Sequence, residues 1–307
     1  MTPEVGRSFP AAAVPVAIGI LTWRGYETTK ACLESLRILE DWPIPTVVID
    51  NGSGTGEGRR LAEEFGEPVE TVEMDSDGGV PVGYNAAVRW ASAKQAEHVL
   101  LLNNDTVITD PAMLRRLLQA AGPGIGVVGP LILDPDGSTF SAGGALSMTK
   151  GYSEHHKAPI DPDRPYDADW LDGPAMLMSL AAARAIGALA PEYFMYWEEL
   201  DWCVRARRAG YRSVVQPSTS ITHMRGTATE SDFVRYQLAR NRILFLRRNA
   251  SAVENLTAQF WMSASLIRRL GPMPRARAFV RASLWNLRDA VRRRRWRLPA
   301  DGPTIGH

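Results

Sequence analysis

Cysteine is nearly absent. Cys32 and Cys203 stand far apart and in no ligand spacing, which argues against a disulfide scaffold or a cysteine-held metal and fits a reducing, cytoplasmic setting. Long apolar runs are missing as well. Ala11–Leu21 is apolar but interrupted by Pro15, has only Arg7 as a basic residue ahead of it, and lacks a good cleavage site; it is too short for a bilayer and reads as a buried first strand. No G-x-x-x-x-G-K-[ST] loop occurs, and no G-x-G-x-x-G opens a helix: Gly52, Gly54, Gly56 and Gly58 merely alternate, as in a turn. Phosphate is therefore not held by a P-loop or a dinucleotide fold. Net charge is close to nil at +1, yet the segment Arg268–Arg297 holds eleven Arg against one Asp. The rest of the chain is acidic.

What is present is an ordinary globular mix, 45% hydrophobic and 22% charged over 307 residues, enough for one large domain with a smaller appendage. In the first half, Val14–Thr22, Thr46–Asp50, Glu67–Met74 and His98–Asn103 read as strands buried on both faces. Helical spacing occupies Tyr26–Leu39, Gly58–Phe65, Gly83–Ala93 and Met113–Ala121, the last with Asp110 as cap and Pro111 in its first turn. This rhythm predicts an α/β fold with a mostly parallel central sheet and flanking helices.

The second half is less regular. Val127–Leu133, Gly173–Ser179 and Ser213–Gln216 are strand-like, while Ala181–Ile186 and Glu198–Ala209 are helical, the latter closed by Gly210. Ser138–Asp169, rich in Gly, Pro, Ser and Asp, reads as a long functional loop or lid. Beyond Glu230 the chain is helical and basic. The expected division is an N-terminal extension over 1–13, a catalytic domain over 14–248 and a basic helical extension over 249–307.

In open α/β sheets, ligands bind beyond the carboxyl ends of the strands. Those ends carry Thr22–Arg24, Asp50–Ser53, Asp75–Gly79 and Asn103–Asp105. A second polar concentration, Glu198, Glu199 and Asp201, sits among Tyr196, Trp197 and Trp202. Glu198 and Asp201 share a helical face and Glu199 points about 100° away. Such a cluster raises carboxylate proton affinity by desolvation and like charge, as a general base requires.

Several segments together resemble a family 2 glycosyltransferase of the GT-A fold, in the branch of bacterial rhamnosyl- and galactofuranosyltransferases. They are Gly19–Arg24, Val48–Ser53, Asp77–Asn85, Leu101–Thr106 and Tyr196–Cys203, followed in order by His223 and Arg240-Asn241. The match spans roughly 14–248. The resemblance implies that Asp50 reads the imide of a uracil or thymine, with Thr22 and Arg24 lining the base and ribose pocket; a plain Asx turn at Asp50-Asn51-Gly52 is the other reading. Asn103-Asn104-Asp105 occupies the place of the metal-binding DxD, so Asp105 would hold Mg2+ or Mn2+ while Asn103 and Asn104 face the donor. The Asn at 103 departs from the pattern and removes one anionic ligand. His223 would be a second metal or diphosphate ligand. Asp77, Gly79 and Asn85 match a glycine-rich donor loop, and Arg240 would pair with diphosphate unless it lies on a solvated face. Glu199 stands where the family has its base, usually Asp, with Glu198 and Asp201 beside it. Trp170, Asp172, Gly173 and Trp197 are expected on the acceptor side.

The implied reaction is a single displacement with inversion, from dTDP-rhamnose or a UDP-sugar to a hydroxyl of a glycan, lipid-linked glycan or natural product. A sugar nucleotidyltransferase is the rival enzyme class, although the loop after the first strand has one basic residue, Arg24. A non-catalytic nucleotide-sugar binder is the third reading. The Arg-rich tail fits an anionic membrane surface, the chain's own acidic body or a second subunit as in a homodimer; nucleic acid is excluded because the acidic remainder would repel it.

Overall fold

A computed structural model describes residues 15–224, 231–268 and 273–293, with the side chains of 263–276 and 290–293 outside the description. In chain order, the first half runs β1 (Val16–Thr22), α1 (Tyr26–Leu36), β2 (Thr46–Asp50), α2 (Glu57–Phe65), β3 (Val69–Glu73), α3 (Val80–Ala93), β4 (His98–Asn103), β5 (Thr106–Ile108) and α4 (Met113–Ala120). It continues through β6 (Ile125–Leu133), β7 (Thr139–Ser141), β8 (Gly144–Ser147), β9 (Tyr152–His155), β10 (Tyr166–Asp167) and β11 (Ala175–Ser179). The last part is α5 (Leu180–Ile186), a 3-10 turn (Pro191–Tyr193), α6 (Glu198–Arg208), β12 (Arg212–His223), α7 (Asp232–Asn249), α8 (Ala252–Arg268) and α9 (Met273–Arg293).

The main sheet has the order β10-β12-β6-β11-β4-β1-β2-β3. β3, β2, β1 and β4 are mutually parallel, as the alternation of strands and helices predicts. β11 then enters antiparallel between β4 and β6, and β12 returns parallel to β6. Alternation along β1 divides the core: Val16, Ile18 and Ile20 pack with α1, α2 and α4, whereas Ala17 and Leu21 pack with α3, α6 and α7. α3 lies unusually close to β1, because a Cβ on Gly19 would sit 2.5 Å from that of Ala87 and one on Gly83 would collide with Leu21. Packing against Leu21 thus requires glycine at 83.

Several local expectations need correction. α1 ends at Leu36, with turns carrying the chain to a buried Leu39. Asp110-Pro111 lies ahead of α4 instead of opening it: Asp110 closes a turn by accepting from Ala112 N–H at 3.0 Å, and its other oxygen holds Arg116 and Thr219. The segment read as an irregular lid is folded, with a β8–β9 hairpin and with β7 and β10 added to the main sheet. Its strands are too short to display a period. β12 runs far past Gln216; a register shift between Gln216 and Ser220 absorbs the polar stretch that conceals the strand in the sequence.

Candidate active site

The carboxyl ends of β1, β2 and β4 lie side by side, with Thr22 opposite Asp50 and Leu21 opposite Asn103. Beyond β4 the chain turns at once into β5, which pairs antiparallel with the end of β12 and sets His223 opposite Thr106. This ladder brings together two residues distant in sequence: His223 Nε2 lies 3.1 Å from Asp105 Oδ1. His223 is buried, and among the described residues its Nδ1 has no hydrogen-bond partner. An imidazole nitrogen facing a carboxylate is a donor set that suits Mg2+ or Mn2+, provided phosphate oxygens and water complete the shell. Among the described residues no group of three or more His, Cys, Asp or Glu is arranged to hold a metal by itself.

The acidic cluster lies at the start of α6, reached through a contorted approach. Phe194, Tyr196 and Trp197 have φ of 65°, 67° and 76°, values that L-residues adopt at a cost. The surroundings hold this turn in place. Asn241 is fully buried, and its Nδ2 lies 2.7–2.8 Å from the carbonyls of Tyr193, Met195 and Tyr196. Val80 N–H donates to Phe194 O at 2.6 Å, and a Cβ on Gly79 would strike that same carbonyl. Trp197 is buried with its ring 5.1 Å from that of Phe245.

Past this turn the three acids part company. Asp201 is wholly buried and structural: Tyr193 Oη and Asn249 Nδ2 donate to its Oδ1 at 3.1 and 2.8 Å, Arg205 Nε donates to its Oδ2 at 2.8 Å, and Arg248 is 3.5 Å away. The expected shared face of Glu198 and Asp201 does not make a joint site, because Asp201 turns into the protein while Glu198 works with its neighbour. Glu198 Oε2 and Glu199 Oε2 are both shut off from solvent, without a hydrogen-bond partner among the described residues. Burial pushes the Glu198 carboxyl up to about 7. Glu199 is raised well above the usual carboxylate range, by burial first, then by Glu198 and Asp172.

Two tyrosines join these acids to the Asp105 side. Tyr84 Oη lies 2.6 Å from Asn103 Oδ1 and 3.2 Å from Gly173 O. Its phenol is driven well above 10 by burial, then by Asp105, Glu198 and Glu199, and the half-buried Tyr196 is raised by burial and the same three carboxylates. Asp105, Glu198 and Glu199 thus all lie within electrostatic reach of Tyr84 and Tyr196. Asp172 borders it, accepting from Ser141 Oγ and lying 3.3 Å from His155 Nδ1. Trp170, in contrast, is a packing residue, buried against His155 and donating to Ala145 O at 3.3 Å.

On the donor side, the Asx turn forms at Asp50. Its buried carboxylate accepts from Ser53 N–H at 2.9 Å and Gly58 N–H at 3.4 Å. Thr22 is buried and shares a hydroxyl network with Thr29 and Asn104. Arg24 is exposed, φ 51°, over the Trp23 ring, and borders a groove with Gly25, Tyr26, Thr55, Glu57 and Arg60. Asp77 accepts from Asn51 Nδ2 and Gly79 N–H, so the donor-side loops are tied to each other. Asn85 and Arg240 take other tasks. The Asn85 amide clasps Leu189 through two hydrogen bonds of 2.8 and 2.9 Å. Arg240 is buried, donates to the carbonyls of Glu192 and Tyr193, and stacks 4.1 Å from the Trp285 ring centroid. Neither a diphosphate contact nor a solvated face describes it.

Sequence reasoning missed Glu57. Its buried Oε1 accepts from Thr22 Oγ1, Gly25 N–H and Ser53 Oγ at 3.0–3.1 Å, knitting the loops after β1 and β2. An acid in the first turn of α2 reads as ordinary helix-dipole compensation, so nothing in the sequence marked it. A second concavity, lined by Gly144, Ile160, Asp167, Asp169, Arg207 and Arg212 among others, contains none of the site residues.

The chain is similar to several known glycosyltransferases. A Mycobacterium tuberculosis N-acetylglucosaminyl-diphospho-decaprenol L-rhamnosyltransferase is 28% identical over 228 residues, 65% of this chain and 73% of that one. A dTDP-rhamnosyl transferase, RfbF of Shigella flexneri, is 20% identical over 213 residues, 66% of this chain and 71% of its own. Among solved structures, the mannosyltransferase PcManGT of Pyrobaculum calidifontis, in complex with GDP-Man and Mn2+, superposes with TM-score 0.58 at 16% identity, covering 95% of this chain and 86% of that one. GalNAc-T7, solved with UDP, GalNAc and Mn2+, gives 0.60 at 13% identity, with 76% of this chain aligned to 48% of its length. These structural likenesses establish the fold. The profile of the glycosyltransferase-like family 2 matches residues 15–242, and the chain belongs to that family.

Proposed function

We propose that this glycosyltransferase works by single displacement with inversion: an acceptor hydroxyl attacks the anomeric carbon of a nucleotide-diphosphate sugar while Glu199 takes its proton. The carbon–oxygen bond to the diphosphate breaks, and the nucleoside diphosphate leaves with that electron pair. The observation that carries this reading is the pair of buried carboxylates at Glu198 and Glu199, one oxygen of each without a hydrogen-bond partner among the described residues, beside the same two tyrosines that feel Asp105. Desolvation raises the proton affinity of Glu199, so that its ionised form is the stronger base toward an alcohol. Asp105 and His223 would hold Mg2+ or Mn2+, which when bound supplies positive charge against the leaving diphosphate. The names of the two rhamnosyltransferase relatives support rhamnose as the sugar, dTDP-rhamnose as the first donor to test, and a polyprenyl-diphosphate-linked glycan as the acceptor class.

Replacing Glu199 by Gln keeps size and hydrogen bonding but removes the base, and should lower turnover by roughly 10²–10⁴-fold. The melting shift produced by donor should persist in that variant. Undiminished turnover in Glu199→Gln would remove the residue from the mechanism.

A further inference from the structure

The outer face of α9 plays no part in the site and has an unusual composition. Arg277, Val280, Arg281, Leu284, Leu287 and Arg288 recur at helical spacing and are all exposed, with Val280, Leu284 and Leu287 at 54%, 50% and 63%. The opposite face is committed to the body. Ala278, Ala282 and Asn286 are buried, Asn286 Nδ2 donates to Arg240 O at 3.1 Å, Arg247 pairs with Asp289 at 3.4 Å, and Trp285 receives Arg240. Self-packing thus accounts for one side of this helix, with Arg281 at its edge reaching over the Tyr236 ring 5.1 Å from the centroid, and leaves a stripe of Arg277, Val280, Leu284, Leu287 and Arg288 on the other. α8, packed on α7 as well, exposes a second ridge of Val253, Leu256 and Phe260.

We infer that this stripe is a membrane-docking surface for an anionic bilayer, on which α9 lies in the headgroup plane. The charge chooses the occupant. A second copy docking the same patch on itself would bring two arginine-bearing faces together with no acidic residue among the stripe to offset them, an unfavourable like-charge pairing. An anionic lipid surface complements the arginines and at the same time accepts the leucines between them, while the long arginine stems keep their heads at the phosphates. Among the described residues no helix is long and apolar enough to cross a membrane, so the contact lies on the surface. This inference does not depend on the catalytic assignment of Glu199.

The test uses the full chain with sedimented vesicles of phosphatidylcholine alone or mixed with phosphatidylglycerol. Wild type should co-sediment with the anionic vesicles and be released as salt rises. Leu284→Asp/Leu287→Asp should weaken binding by about tenfold or more. Arg277→Glu and Arg288→Glu should each cost roughly fivefold. Because these side chains are exposed, the variants should retain the wild-type melting temperature, and the salt dependence of unaltered protein provides a readout that needs no variant. Equal partitioning to neutral and anionic vesicles would overturn the inference. So would a dimer abolished by the Leu variants in a protein that binds no vesicles.

Discussion

At the scale of single residues, the three acids of α6 differ in environment, and so should their variants. Glu198 carries a carboxyl raised to about 7 by burial, against an ordinary 4.5 when unfolded. Below about pH 4.5 both states hold the proton. Between 4.5 and 7 the unfolded chain ionises while the folded one keeps its proton, so this group's contribution to stability is lost as pH rises through that window. Glu198→Gln should therefore melt above wild type at pH 8, by up to about 3 kcal/mol, with the difference vanishing near pH 4. A difference that is constant in a melting series over this range would refute the assignment. Asp201 should respond in the other direction. It is the shared partner of Tyr193, Arg205, Arg248 and Asn249, and Asp201→Ala leaves the buried Tyr193 and Asn249 donors without their acceptor and the solvent-reaching Arg205 and Arg248 without their counter-charge. A loss of roughly 1–3 kcal/mol in denaturant unfolding is expected.

At the scale of elements, the contact of β1 with α3 and the turn into α6 are two of the three joints that place the site. Gly19→Ala would press a methyl into Ala87, and overpacking of this kind should cost about 1–3 kcal/mol, read as a lowered denaturant midpoint. The turn is governed by Asn241, which spans three carbonyls around residues of positive φ. Asn241→Leu removes those donors while filling similar volume. Turnover should fall more steeply than donor affinity, since the change misplaces Glu199 and leaves the loops of β1 and β2 alone; equal losses in both would mean that the turn serves only stability. β12 is the third joint. Its pairing with β5 sets His223 beside Asp105.

At the scale of the whole molecule, the donor is the part that completes the site. In the proposed site Asp105 and His223 would offer two protein ligands, and among the described residues no third His, Cys, Asp or Glu joins them. Mn2+ should therefore bind weakly to the protein alone and markedly tighter when a nucleoside diphosphate is present. Calorimetry with and without the nucleotide checks this, and Asp105→Asn should abolish the enhancement. A panel of nucleotide sugars can be ranked by melting shift: a ligand at a hundred times its Kd adds about 2.7 kcal/mol, on the order of 4 °C for a chain of this size. The dTDP-sugar should give the largest shift. The C-terminal helices belong to the same mechanical unit, because Arg240 links Trp285 of α9 to the carbonyls of Glu192 and Tyr193 just ahead of the acidic cluster.

The parallel half of the sheet, the polar strand ends and the acidic start of α6 were determined by the sequence alone. Their signals are local: apolar runs of strand length, helical spacing, and carboxylates crowded within four positions. Three things were settled only by tertiary structure. The pairing of β5 with β12 was invisible because a bulge hides the strand and the partners lie far apart in the chain. Whether Asp50, Asn85, Asp201 and Arg240 face a ligand or the protein depended on which distant carbonyls, amides and cations met them. The importance of Glu57 arose from three donors on two loops converging on a single oxygen. Residue types and spacings record what a side chain is able to do, but only packing decides what stands within three ångströms of it, and burial then sets how tightly it holds its proton.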